Sequence, residues 1–213
     1  IVRYTIGELN ERQRYQVMYQ VFEDRKGEIW VSTVGGISKL NQETGQFEYH
    51  RIYPGENISI FAENKATYLD ITDIHQDETG VFWLGTPEIG LVRFDLEIDS
   101  LRFIHITPSQ SATASSFTIL SILPDPVHPN RILWIGTEGG GLVQFDKETH
   151  TSRFYTDKEG LPNNIVNCVL PGTDNDIWMS TNMGLSRFSI STEKFLNFDV
   201  RDGLQSNGYN RRE

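Results

Sequence analysis

The chain of 213 residues has a single cysteine, Cys168, so it can form no disulfide of its own, and a metal cluster of cysteines is excluded. Cys168 lies in an apolar strand pattern with Ile165, Val166, Val169 and Leu170, which reads as a buried thiol acting as a small hydrophobe. No apolar run approaches the ~18 residues that a membrane-spanning helix needs. The segment Ile1–Asn10 lacks the basic, apolar and small-residue regions of a signal peptide. Basic residues are scarce: 19 Lys and Arg stand against 29 Asp and Glu, a net charge of −10. That sign disfavours phosphate backbones and anionic membranes, so nucleic acid is not an expected partner. A sustained 3.6-residue period is also missing, which argues against helices.

What the sequence has instead is a repeat. Its four tryptophans head the same short motif: Trp30-Val31-Ser32-Thr33, Trp83-Leu84-Gly85-Thr86, Trp134-Ile135-Gly136-Thr137 and Trp178-Met179-Ser180-Thr181. A second block follows each: Gly36-Ile37-Ser38-Lys39-Leu40, Gly90-Leu91-Val92-Arg93-Phe94, Gly141-Leu142-Val143-Gln144-Phe145 and Gly184-Leu185-Ser186-Arg187-Phe188. The tryptophans are 53, 51 and 44 residues apart, and most of the difference falls in two loop-like inserts, Tyr53–Thr67 and Thr107–Ser116.

Each unit reads as four strands joined by tight turns. In the second strand, Ile29 and Val31 share one face while Trp30 and Ser32 share the other. The equivalents Phe82/Leu84, Leu133/Ile135 and Ile177/Met179 make the first face apolar throughout. In the first strand, Val21, Ile74, Ile122 and Val169 form one column. Met18, Ile71, Ile119 and Val166, three residues earlier, are expected on the opposite face. A sheet apolar on both faces must be covered on both sides. A row of such sheets around an axis is a β-propeller.

The expected fold is therefore all-β, with propeller blades of four antiparallel strands. Four blades are visible, at residues 17–52, 68–106, 117–157 and 165–200. Residues 1–16 read as the end of a preceding blade and a linker, because Val2–Asn10 echoes Arg153–Asn163. Residues 201–213 read as the start of a further blade, since Asp202-Gly203-Leu204-Gln205-Ser206-Asn207 echoes Glu159-Gly160-Leu161-Pro162-Asn163-Asn164. The array is thus expected to belong to a larger ring of about seven blades, a closed four-blade ring being the alternative. An open array exposes apolar faces, so a homo-oligomer is an expected association.

The repeat resembles the two-component regulator propeller family. The matching pieces are Glu159-Gly160-Leu161-Pro162-Asn163-Asn164, Leu133-Trp134-Ile135-Gly136-Thr137 and Gly140-Gly141-Leu142-Val143-Gln144-Phe145-Asp146. The resemblance covers essentially the whole chain and departs from the family pattern at the two long inserts. It implies a periplasmic or extracellular sensing region of a membrane-anchored bacterial receptor. It also implies a carbohydrate or other small-molecule ligand, and partners among the remaining blades and downstream signalling domains, such as a histidine kinase.

In a propeller the loops entering the first strand and those joining the second and third strands share one face, and loops carry function more often than strands do. Candidate ligand-binding residues there are Glu88, Glu138, Asn163, Asn164 and Asn182, with Tyr53, Phe61, Tyr68 and Phe117 as aromatic surface. Trp30, Trp83, Trp134 and Trp178 read as structural. No cofactor, metal site or catalytic residue is expected. The five histidines share no repeat position, and Gly139-Gly140-Gly141 precedes no helix that could bind phosphate. Thr173-Asp174-Asn175-Asp176 reads as a hairpin turn, not a calcium loop. The chain itself is therefore expected not to be an enzyme. The alternatives are a protein-interaction scaffold or a propeller lyase or hydrolase.

Overall fold

The computed structural model describes residues 5–6, 18–33, 36–52, 69–87, 89–98, 100–107, 117–206 and 208. These residues form four antiparallel sheets of four strands each, with no α-helix among them. Sheet 1 contains Met18–Glu23, Ile29–Thr33, Gly36–Asn41 and Gln46–Arg51. Sheet 2 contains Asp73–Gln76, Phe82–Gly85, Leu91–Asp95 and Ser100–Ile104. Sheet 3 contains Thr118–Pro124, Ile132–Glu138, Leu142–Asp146 and Thr151–Tyr155. Sheet 4 contains Val166–Pro171, Ile177–Thr181, Gly184–Ser189 and Lys194–Phe198. Strand order follows chain order in every sheet, as expected of a propeller blade. The pair Thr5–Ile6 adds a short parallel strand beside Gln46 and Phe47, at the outer edge of sheet 1.

Three hydrophobic seams join the four sheets. In each, the tryptophan face of one sheet meets the aliphatic face of the next. Trp30 packs with Phe82, Leu84 and Ile74 of sheet 2. Trp83 packs with Ile122, Ile135 and Phe145 of sheet 3, and Trp134 with Val169, Met179 and Phe188 of sheet 4. Every seam has an indole against a phenyl ring, with centroids 5.1 Å apart for Trp30–Phe82, 6.0 Å for Trp83–Phe145 and 5.4 Å for Trp134–Phe188. Such tilted aromatic pairs add specificity to area burial. Trp30, Trp83 and Trp134 are buried, whereas Trp178 is half-buried and stacks on Phe198 of its own sheet. No described residue lies in a sheet beyond it.

The first strands depart from simple alternation. Ile119 lies opposite Thr137 and Ser121 opposite Gly136, so Leu120 is an extra residue, a β-bulge. Ile119 and Ile122 consequently point to the same side and enter the same core cluster. Val166 and Val169 do the same around a bulge between Val166 and Cys168, and Ile71 and Ile74 share the cluster of the first seam. The expectation that Ile71, Ile119 and Val166 face away from Ile74, Ile122 and Val169 is therefore corrected: each pair shares a core cluster, and at Ile119 and Val166 an inserted residue shifts the period by one. A matching register shift lies between Met18 and Gln20.

The first strands carry a polar link across each seam. Gln20 Oε1 accepts from the Ile74 backbone N–H at 2.7 Å. Asp73 Oδ2 accepts from Ile122 N–H at 2.5 Å, and Ser121 Oγ from Val169 N–H at 3.2 Å. The three side chains occupy one column of the innermost strands and reach forward to the next sheet. Cys168, opposite Ser180, is the fourth member of that column. It is half-buried, not buried as its apolar neighbours suggested.

Candidate functional site

The loop rim is built by the turn between the second and third strands. At its base sits a fully buried threonine: Thr33, Thr86, Thr137 or Thr181. Each Oγ1 donates to the carbonyl of the glycine that opens the third strand, at 2.8–3.0 Å. In three of the turns the same oxygen accepts a backbone N–H from inside the turn. The glycine is obligatory at Gly184, where φ is 102° and a Cβ would come within 2.1 Å of Phe198 O. The threonine and glycine of the repeat thus brace the loop from beneath.

The connector from sheet 3 to sheet 4 runs across this rim. Thr156 caps a 3-10 turn, Asp157–Glu159, in a capping box with Glu159. Leu161 then inserts into the seam. Asn164 O accepts from both Gly139 N–H and Gly141 N–H at 2.9 Å, tying the connector to the turn of sheet 3.

The structure brings Glu138, Asn163 and Asn164 together here. Glu138 bridges to Ile165 in a short antiparallel contact, and its side chain is exposed. The two asparagines serve the connector itself. Asn163 Oδ1 accepts from Ile165 N–H at 2.8 Å. Asn164 Oδ1 accepts from Asp157 N–H at 2.8 Å, while its Nδ2 donates to Asp157 Oδ1 at 3.1 Å. Asn182 lies on the next turn, exposed, with its Oδ1 accepting from Asn167 Nδ2 at 2.9 Å. Beside it Met183 is 56% exposed. Phe117 packs over Gly140, where a Cβ would meet its ring at 2.7 Å, and lies 6.0 Å from Phe154. Glu88, Tyr53, Phe61 and Tyr68 lie outside the described residues.

The opposite rim holds a feature that the sequence reading missed. In three sheets the first turn begins with an aspartate whose Oδ2 accepts the tryptophan indole N–H: Asp24 from Trp30 at 2.8 Å, Asp77 from Trp83 at 2.8 Å and Asp125 from Trp134 at 2.6 Å. The other carboxylate oxygen accepts two backbone N–H groups of its own turn. In sheet 4 this position is Gly172, which makes the same turn hydrogen bond to Asp176 O but offers Trp178 no carboxylate. The spacing Asp to Trp, six residues in the first two turns, was the available signal. A three-residue expansion in the third, around Pro126 and Pro129, hid it.

Lys147 reaches from sheet 3 into this rim of sheet 2. Its Nζ is 3.5 Å from Asp77 Oδ2, 3.1 Å from Pro129 O and 5.6 Å from the Trp83 ring centre. Burial lowers its pKa, against the opposing charges of Asp77 and Glu78. Burial would raise that of Asp77, but hydrogen bonds from Thr79 and Trp83 and the charge of Lys147 outweigh it and hold the carboxyl low. Neighbouring His75 is pushed down to about 4 by burial and by Lys147, with Asp77 opposing. This cluster braces a seam. No group of three or more His, Cys, Asp or Glu among the described residues could hold a metal.

The comparisons with known proteins agree with this architecture. A family model described as two component regulator propeller matches residues 160–183, from the connector glycine through the Trp178 strand. The chain is 28% identical to histidine kinase P4 of Formosa agariphila, over 85% of the chain and 16% of the kinase. Among solved structures, the extracellular domain of the hybrid two-component system BT3049 of B. thetaiotaomicron matches with a TM-score of 0.67 and 26% identity, over 90% of the chain and 24% of that domain. Virginiamycin B lyase of Staphylococcus aureus matches with a TM-score of 0.61 at 15% identity, over 87% of the chain and 56% of the lyase, a likeness of fold alone. The chain spans less than a quarter of the two sensor relatives. Its other blades repeat the tryptophan, threonine and glycine of the segment that matches the two-component regulator propeller model.

Proposed function

We propose that this array senses a glycan or another small molecule in the periplasm or outside the cell, as part of a bacterial receptor, and passes the signal to a kinase or other output domain. The observation that carries the reading is the relation to a histidine kinase and to the extracellular domain of a hybrid two-component system across most of the chain. The loop rim supports it. Glu138 and Asn182 are exposed polar groups, and Met183 gives apolar surface beside Asn182. Asn163 and Asn164 shape that rim, since their side chains hold the connector. Directed hydrogen bonds beside apolar surface suit a sugar ring.

The test is a thermal-shift screen of oligosaccharides and small metabolites, followed by calorimetry on any hit. A ligand at a hundred times its Kd stabilises the folded state by about 2.7 kcal/mol. Glu138→Gln and Asn182→Ala are expected to abolish that shift, and Glu138→Gln to leave the unliganded melting temperature unchanged, whereas Asn182→Ala also removes the acceptor of Asn167 Nδ2. A hit unaffected by either change places the site elsewhere. Turnover of the hit would instead favour an enzyme.

A further inference from the structure

Among the described residues, three buried side-chain polar atoms reach no hydrogen-bond partner: Ser32 Oγ, Ser38 Oγ and His50 Nε2. All three belong to sheet 1. Ser38 is on its far face, in register with Val31 and Tyr49. Ser32 and His50 are on the face that meets sheet 2. They flank Ile37, their common partner in register, and Ile37 lies in the core of that seam. The His50 ring is 5.3 Å from that of Trp30. A polar group buried without a partner has given up its water and gained nothing. Each one weakens the closed arrangement by about tenfold.

The other two seams fill the same positions differently. The column of Ser32 holds Gly85 in sheet 2 and Gly136 in sheet 3. A Cβ there would come within 2.7 Å of Ile119 Cγ2 or of Val166 O, so the next sheet closes directly onto the strand. A serine in this column brings a side chain and an unpaired hydroxyl to the contact. The column of His50 holds Ile104 in sheet 2 and Tyr155 in sheet 3. Ile104 is apolar and needs no partner. The Tyr155 hydroxyl donates across the third seam to Glu193 Oε1 at 3.4 Å, and Arg153 holds the other oxygen of that carboxylate at 2.6 Å. Opening the first seam therefore returns two orphaned groups to water. Opening either of the others breaks bonds that were satisfied.

We propose that the seam between sheets 1 and 2 is the hinge of the array, the joint at which sheet 1 swings away while sheets 2 to 4 stay together. Two orphans at about tenfold each make its opening about a hundredfold easier than that of a seam otherwise alike. Position in the array does not account for this, because the third seam also joins an outermost described sheet, sheet 4, to its neighbour.

Native-state hydrogen exchange reads each seam through the amides that cross it. Ile71 N–H donates to Thr33 O at 3.2 Å and Ile74 N–H to Gln20 Oε1 at 2.7 Å. Ile119 N–H donates to Thr86 O at 3.0 Å, and Val169 N–H to Ser121 Oγ at 3.2 Å. In the 213-residue chain, Ile71 and Ile74 are expected to exchange about a hundredfold faster than Ile119 and Val169. Ser32→Ala and His50→Phe each remove an orphan, so each should slow Ile71 and Ile74 by about tenfold and leave Ile119 and Val169 unchanged. Equal exchange at all four amides overturns the proposal, since the orphans would then have partners such as enclosed water. So does Val169 exchanging as fast as Ile74, which would assign the lability to end position. Variants that fold but leave Ile71 and Ile74 unchanged overturn it too, and if a variant fails to fold, the comparison within the parent chain decides. No ligand enters these readouts, so the sensing proposal is tested separately.

Discussion

Replacing Asp77 by alanine tests whether the buried carboxylate holds the seam between sheets 2 and 3. Two costs are expected. The Trp83 indole N–H loses its charged acceptor at 2.8 Å, a bond to an ionised group worth about 1.5–3 kcal/mol. Lys147, with a side chain only 6% exposed, loses its counter-ion, and breaking a buried pair costs about 3–5 kcal/mol. The contact is 3.5 Å and Lys147 keeps the Pro129 carbonyl, so the lower end applies. Together the expected loss is about 4.5 kcal/mol. Lys147→Met keeps the stem over Trp83 and leaves Asp77 with Thr79 and Trp83, so it should cost about 1 kcal/mol. In the double variant no orphaned cation remains, and the two changes should be non-additive by about 2 kcal/mol. Urea denaturation of the four proteins of this cycle at pH 7 measures it. Additivity within about 0.5 kcal/mol would refute the argument, because distant, independent sites behave that way.

Two other outcomes are expected. The folded chain binds a proton at His75 less readily than the unfolded chain, with a pKa of about 4 against 6.5, so stability is complete above pH 6.5 and is lost as the pH falls toward 4. The loss is on the order of 3 kcal/mol. Asp24 and Asp77 are held below 3.8, so their contributions decline only at lower pH, outside this window. Urea titrations at pH 7.5 and 4.5 should show a smaller difference for His75→Gln than for the parent, and equal differences would acquit the histidine. Gly184→Ala and Gly203→Ala share left-handed backbones, at φ 102° and 97°, but only the first places a Cβ against a carbonyl, at 2.1 Å; the second has open space. Gly203→Ala should cost about 1 kcal/mol and Gly184→Ala at least about 2 kcal/mol more by thermal denaturation, whereas similar costs would mean that the turn of sheet 4 yields freely.

The blades were legible because the same chemistry recurs at the same strand positions. Trp30, Trp83 and Trp134 each need a covering sheet, and Thr33, Thr86, Thr137 and Thr181 each need the carbonyl of a following glycine. Alternation alone could not reveal the bulges. An inserted residue such as Leu120 leaves no compositional mark, yet it turns Ile119 to the side of Ile122. The candidate site was legible only as a rim. A sequence shows that Asn163 and Asn164 are polar and on a loop. It does not show that their side chains already hold Ile165 and Asp157. The aspartate that receives each indole was partly visible as an acidic turn, but its role depends on the chain doubling back to bring residues six or nine apart into contact.

The side chains that reach forward from one innermost strand to the next differ at every seam: an amide, a carboxylate and a hydroxyl, on arms of different length. Modules so alike in their greasy surfaces could stack out of turn during folding, a known hazard of tandem repeats. Unequal keys give each module a recognisable successor. A shuffled order would ask the short serine to span the gap that glutamine fills, and would leave a buried carboxylate without its amide. The array thus carries its own assembly instructions at the points nearest the axis, where a mistake would be hardest to undo.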